Sequence, residues 1–158
     1  MAEALARQAV AALAAAGATL ATAESLTGGM LGEKITGVSG SSAIYRGGVI
    51  SYCNAVKAGV LGVSQEDLDT LGAVSAPVAE QMAQGARQRL AADYALSTTG
   101  IAGPNSDETG KPVGLVYIAC ADHAGCRVRQ LHLTGDRAAI RQATCRAPPC
   151  SCCWRTLA

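Results

Sequence analysis

The stretch ATLATAESLTGGMLGEKI, residues 18–35, sets the fold class. Its first six residues are apolar or β-branched and read as a short buried strand. Glu24, Ser25, Leu26, Thr27, Gly28 and Gly29 follow as a glycine-rich turn. A second helix opens from that turn and runs to about Ile35. Strand, glycine turn and helix in this order start a layered α/β architecture.

Working outward, residues 3–16 read as a helix closed by Gly17, with Leu5, Val10 and Leu13 on one face. Glu3 and Arg7 interrupt the Ala-rich start, so it reads as an amphipathic helix and not as an export signal. Downstream, residues 36–43 form a small-residue loop and 45–52 a strand. Asn54 is expected to cap a short helix containing Lys57. Ser64 with Asp67 starts another helix, which ends near Gly72. Ser75 and Pro77 open a long helix to about Ala91, with Val78, Met82, Ala86 and Leu90 on one face.

Residues 93–99 are a second central strand, broken by Gly100 through Pro104. Residues 105–112 are an exposed polar loop. Val113–Ala121 and Arg127–Leu133 form a hairpin around Asp122–Gly125. Gly135-Asp136-Arg137 begins the last helix. The whole reads as α/β: a three-layer α/β/α sandwich with a mixed, mostly parallel sheet.

At 158 residues the chain fits one domain with a substantial core. It has no Phe, one Trp and four Tyr, so helix and sheet are expected to pack closely through small side chains. The net charge of +1 gives no electrostatic case for nucleic acid or for a membrane surface. No segment is long and apolar enough to span a bilayer, and a cytoplasmic location is expected.

Three glycine-rich turns follow apolar strands, after Ala23, after Thr99 and at Gly135. Ligands of open α/β sheets bind at such strand ends. In the first turn, Ser25 and Thr27 precede a helix whose free N–H groups can hold an oxyanion or phosphate. Both residues can equally be plain helix caps. His123 and His132 fall in or beside the late hairpin, which leaves little support for a Ser–His–Asp arrangement. Lys57 has no charged neighbour in sequence, so it is either a desolvated base or a snorkelling surface lysine. Tyr52 is either a proton relay or a strand-end aromatic. Neither paired carboxylates nor His-rich spacing suggests a metal, and no cofactor is expected.

Seven ordered runs then carry a resemblance. They are TAESLTGG at 22–29, GSS at 40–42, YCNAVK at 52–57, GAVS at 72–75, TGIAGP at 99–104, KPVG at 111–114 and GDR at 135–137. Together they resemble the CinA C-terminal domain family, which includes stand-alone nicotinamide-nucleotide amidohydrolases. The resemblance covers about residues 5–144. It implies metal-free hydrolysis of nicotinamide mononucleotide to nicotinic acid mononucleotide and ammonia. It implies Ser25 as nucleophile, Lys57 as general base, and Ser42 and Tyr52 in the surrounding hydrogen-bond network. Thr99, Gly100 and Arg137 would hold substrate, Arg137 through its fork of donors. Thr27, Gly28 and Gly29 would also bind substrate, with the backbone N–H groups near the two glycines as candidates for anion stabilisation. The expected partners are a small nucleotide and further copies of the chain, in the simplest case one. A nucleotide-binding module of the same fold with weak catalysis is the competing reading.

The pattern changes after Thr144. Residues 145–158 hold four of the seven cysteines, and Pro148-Pro149 stops any helix. The domain is therefore taken as 1–144, followed by an atypical tail. An out-of-frame reading of a GC-rich helix sequence gives such a run, and an intact mass tests that. A metal or redox tail is the other option, without paired C-x-x-C spacing to support it.

Overall fold

A computed structural model describes residues 2–147; the Cys/Pro-rich tail expected from the sequence lies, from residue 148 on, outside the described residues. The elements are α1 (Ala2–Ala16), β1 (Leu20–Glu24), α2 (Met30–Thr36), a 3₁₀ turn (Ser41–Ala43), β2 (Tyr45–Ile50) and α3 (Asn54–Gly59). They continue with α4 (Gln65–Leu71), α5 (Ala76–Arg89), β3 (Tyr94–Gly100), β4 (Leu115–Asp122), β5 (Gly125–His132) and α6 (Arg137–Arg146).

The five strands form one sheet in the order β2-β1-β3-β4-β5. β2, β1 and β3 pair in parallel, while β4 is antiparallel to both β3 and β5. β4 is thus the one strand running against the other four. The expected α/β/α layering is present. One face is covered by α4 and α5, where Leu68, Val78, Met82 and Ala86 meet Ala21, Ala23 and Ala95. Ala79 and Ala83 of α5 pack on Ala119 and Ala121. The other face is covered by α1 and α2, where Val10, Leu13 and Ile35 meet Leu20, Leu96 and Cys120. Ile140 of α6 packs there on Val116 and Ile118.

The two sheet faces differ in residue size, because successive side chains on a strand point to opposite sides. The α5 side is paved with alanine and the α1 side with larger apolar groups. Small residues on both partners bring α5 in very close. α5 also meets the segment after α3, where a Cβ on Gly85 would sit 2.0 Å from the Leu61 carbonyl oxygen, so only glycine fits there. β1 is buried along its whole length, as befits a strand covered on both faces.

Local signals were mostly right. Ser64 accepts from the Asp67 N–H at 3.2 Å and starts α4. Asp136 accepts from the Ala139 N–H at 2.8 Å and starts α6. Two helix starts differ. The cap position of α3 falls on Cys53, without a side-chain cap bond, and Asn54 is already helical. α2 begins at Met30, later than the turn itself, because Gly28 and Gly29 both adopt positive φ, at 56° and 101°.

From β1 the chain turns through α2 to β2 on one side. It then crosses back through α3, α4 and α5 to β3 on the other. The C-terminal ends of β1 and β3 therefore flank the point where the winding reverses, which is where an open α/β sheet forms its crevice. No helix among the described residues is long and apolar enough to cross a membrane.

Candidate active site

Ser25 is the first residue after β1, and its N–H donates to the Thr98 carbonyl at 3.0 Å. That bond between neighbouring strand ends holds the nucleophile candidate over the crevice. Across it, β2 ends at Ile50, and Ser51 bonds back to Glu24 through its N–H at 2.8 Å. The chain then enters α3, whose first turns carry Lys57 back over the end of the sheet. Lys57 is 1% exposed. Its Nζ lies 3.0 Å from Ser25 Oγ and donates to the Ser51 carbonyl at 2.6 Å. This is a buried amine, not a snorkelling surface lysine. Burial lowers its pKa from 10.5 to about 8, against a smaller upward pull from Cys53.

The pair opens into a cleft of about 240 Å³. Tyr52, Thr99, Gly100, Gly103, Asn105, Asp107 and Arg137 are among its lining residues. Arg137 donates to the Gly103 carbonyl at 2.8 Å and to the Tyr52 hydroxyl at 3.0 Å. Tyr52 therefore belongs with Arg137 and is 63% exposed; it makes no bond to Ser25 or Lys57. The Thr99 hydroxyl donates to Ala73 O at 2.8 Å and tethers the 72–75 segment to the cleft wall. Gly100 is a packing requirement as well as a lining residue, since a Cβ there would lie 2.6 Å from Val116.

Four expected site residues fall elsewhere. Ser42 sits in the 3₁₀ turn before β2, whereas Ser25 follows β1. The two strands are parallel, with Leu20 beside Tyr45 and Glu24 beside Ile50, so Ser42 is at the opposite end of the sheet. Five residues of strand separate those ends by about 17 Å. Thr27 is fully buried, and its hydroxyl is paired with that of Thr98 at 2.7 Å. Gly28 and Gly29 cannot offer their amides to an anion. The Gly28 N–H donates to Ser25 O at 3.1 Å, and the Gly29 N–H to the Glu24 carboxylate at 3.2 Å.

That carboxylate is the main feature the sequence reading missed. Glu24 is 2% exposed and also accepts from the Leu31 and Gly32 N–H groups at 2.8 and 3.1 Å. It fills the N-terminal end of α2, the place where a phosphate or oxyanion was expected. Neither Ser25 nor Thr27 caps that helix. Arg141 was missed too: it donates to Leu26 O at 2.9 Å and Thr27 O at 3.1 Å, clamping the turn that bears Ser25 from α6. Its spacing from Arg137, four residues on one helix, is the signal that would have found it.

His123 bonds to Arg87 and to Asp93 near the start of β3, and His132 bonds to Gln130 at 3.0 Å. Neither lines the cleft. Among the described residues, no group of three or more His, Cys, Asp or Glu side chains could hold a metal.

The CinA C-terminal domain family matches residues 2–148. A CinA-like protein of Trichormus variabilis is 62% identical over 109 residues, covering 69% of this chain and 26% of that protein. A CinA-like protein of Geobacter sulfurreducens is 51% identical over 128 residues, covering 81% and 31%. The match thus spans about a quarter to a third of the length of these curated relatives. Among solved structures, the competence/damage inducible protein CihA of Agrobacterium tumefaciens superposes with a TM-score of 0.88 at 41% identity, covering 92% of this chain and 89% of that one. A CinA superfamily protein of Escherichia coli superposes with a TM-score of 0.90 at 32% identity, covering 92% and 85%.

Proposed function

This chain belongs to the CinA C-terminal domain family, and on that premise we propose that it is an amidohydrolase acting on nicotinamide mononucleotide. The observation that carries the reading is the buried contact between Lys57 Nζ and Ser25 Oγ at 3.0 Å, set at the floor of the cleft. Amide hydrolysis needs an activated nucleophile, a proton for the leaving nitrogen and a positive group near the developing oxyanion. A neutral Lys57 supplies the first by taking the Ser25 hydroxyl proton. As an ammonium it then supplies the other two.

In this reading Ser25 Oγ bonds to the amide carbon, and the C–N bond breaks as Lys57 returns the proton to the nitrogen. Ammonia leaves, and the acyl group remains on Ser25 as an ester. Water, deprotonated by the same amine, then releases the carboxylate product and regenerates the hydroxyl. The phosphate is assigned to Arg137 because the α2 terminus is already filled by Glu24. Two of the Arg137 donors are fixed by Gly103 O and Tyr52, which leaves the rest of its fork for the ligand.

An ammonia-release assay with nicotinamide mononucleotide and purified folded protein tests the proposal. Stoichiometric formation of ammonia and nicotinic acid mononucleotide supports it. Binding of the nucleotide without turnover would leave the chain a nucleotide-binding module.

A further inference from the structure

The cleft holds a charged group that the mechanism above does not use. Asp107 lines the same cleft as Ser25, Lys57, Tyr52 and Arg137. Its Oδ1 accepts from the Thr109 N–H at 3.0 Å and from the Thr109 hydroxyl. These bonds fix the carboxylate within the loop and engage one of its two oxygens. Among the described residues, no lysine or arginine forms an ion pair with Asp107. The nearby Lys111 is directed elsewhere, to the carbonyls of Leu71 and Val74. Arg137 likewise has no carboxylate partner, since its bonds go to a carbonyl and a hydroxyl.

One cleft therefore carries a fixed anion and a fixed cation, each without an opposite charge of its own. Such an arrangement is complementary to a ligand with both signs of charge, and discriminates against a ligand that lacks one of them. The function proposed above supplies such a ligand, and this inference rests on it: a mononucleotide with a cationic pyridinium ring and an anionic phosphate. We propose that Asp107 is the counter-charge for the ring, so that the cleft selects a zwitterionic mononucleotide stretched between Asp107 and Arg137. Asp107 is a specificity residue in this scheme, because no proton or bond changes at its carboxylate.

The test uses the full chain in a Ser25→Ala background, which binds without turnover. Titration calorimetry compares nicotinamide mononucleotide with its reduced form, whose dihydropyridine ring is uncharged. Asp107→Asn keeps an acceptor for Thr109, so the loop turn is retained while the charge is removed. The expected result is about tenfold weaker binding of the cationic-ring ligand and a change under about twofold for the reduced one. Equal weakening of both would mean that Asp107 binds a ribose hydroxyl, and would overturn the assignment. So would no weakening of either. Ammonia release by the unmutated chain is measured alongside. Its absence overturns the amidohydrolase reading itself, which separates that failure from a failure of the Asp107 assignment.

Discussion

Lys57 Nζ stands 3.0 Å from Ser25 Oγ although 32 residues separate them in the chain, and no third ionisable side chain bonds to either. Removing either partner is expected to abolish ammonia release. Ser25→Ala and Lys57→Met should each lower kcat by about a thousandfold or more, as in other nucleophile–base pairs. Circular dichroism should stay close to that of the unmutated chain. Retained turnover in Lys57→Met would remove the amine from the mechanism.

The rate should rise with pH. In the proposed mechanism Lys57 acts only when neutral, and burial lowers its pKa to about 8. About a tenth of the amine is then neutral at pH 7 and half at pH 8. The expected kcat/KM profile climbs to a plateau with a midpoint near pH 8. The same shift has a stability signature. Between about pH 8 and 10.5 the unfolded chain binds a proton at this lysine that the folded chain does not. Stability from this group therefore rises with pH over that window, and Lys57→Met should remove that part of the slope in urea titrations.

Arg137 should govern KM. Arg137→Lys loses the planar fork, including the bonds to Gly103 O and Tyr52, and is expected to raise KM about tenfold with a smaller change in kcat. Tyr52→Phe removes one of those two bonds and should raise KM less. A larger effect on kcat than on KM in either variant would place the pair in the chemistry instead of in binding.

Thr27 and Glu24 should register in stability. Thr27→Val breaks the buried hydroxyl pair with Thr98 and is expected to cost about 1–3 kcal/mol without raising KM. Glu24→Ala leaves three backbone N–H groups of the turn and α2 unpaired, and should cost more, about 3–5 kcal/mol. Denaturant midpoints check both. A KM effect in folded Thr27→Val would return that residue to the site.

How much of this was readable without coordinates depends on what each inference rested on. The layers followed from apolar periodicity and turn residues, which are local, and they held. Ser25, Lys57, Tyr52, Thr99, Gly100 and Arg137 do share one cleft. Ser42 does not, because the chain order of a residue and a strand decides which end of a parallel sheet the residue reaches. The anion role given to Gly28 and Gly29 failed for another reason. Their amides are engaged by Glu24 and by Ser25 O, and bonds to backbone donors leave no pattern in side-chain spacing. Asp107 was hidden in a polar loop, where aspartate is so common in turns that its presence carries little information.

The lone reversed strand has one more effect. Because β4 runs against its neighbours, β5 ends at the same edge of the sheet as β1 and β3. The segment that follows therefore delivers Arg137 to the cleft and Arg141 to the turn bearing Ser25. Both arrive from α6, the last helix among the described residues. The proposed hold on a nucleotide and the clamp on the serine turn therefore both depend on the docking of one helix.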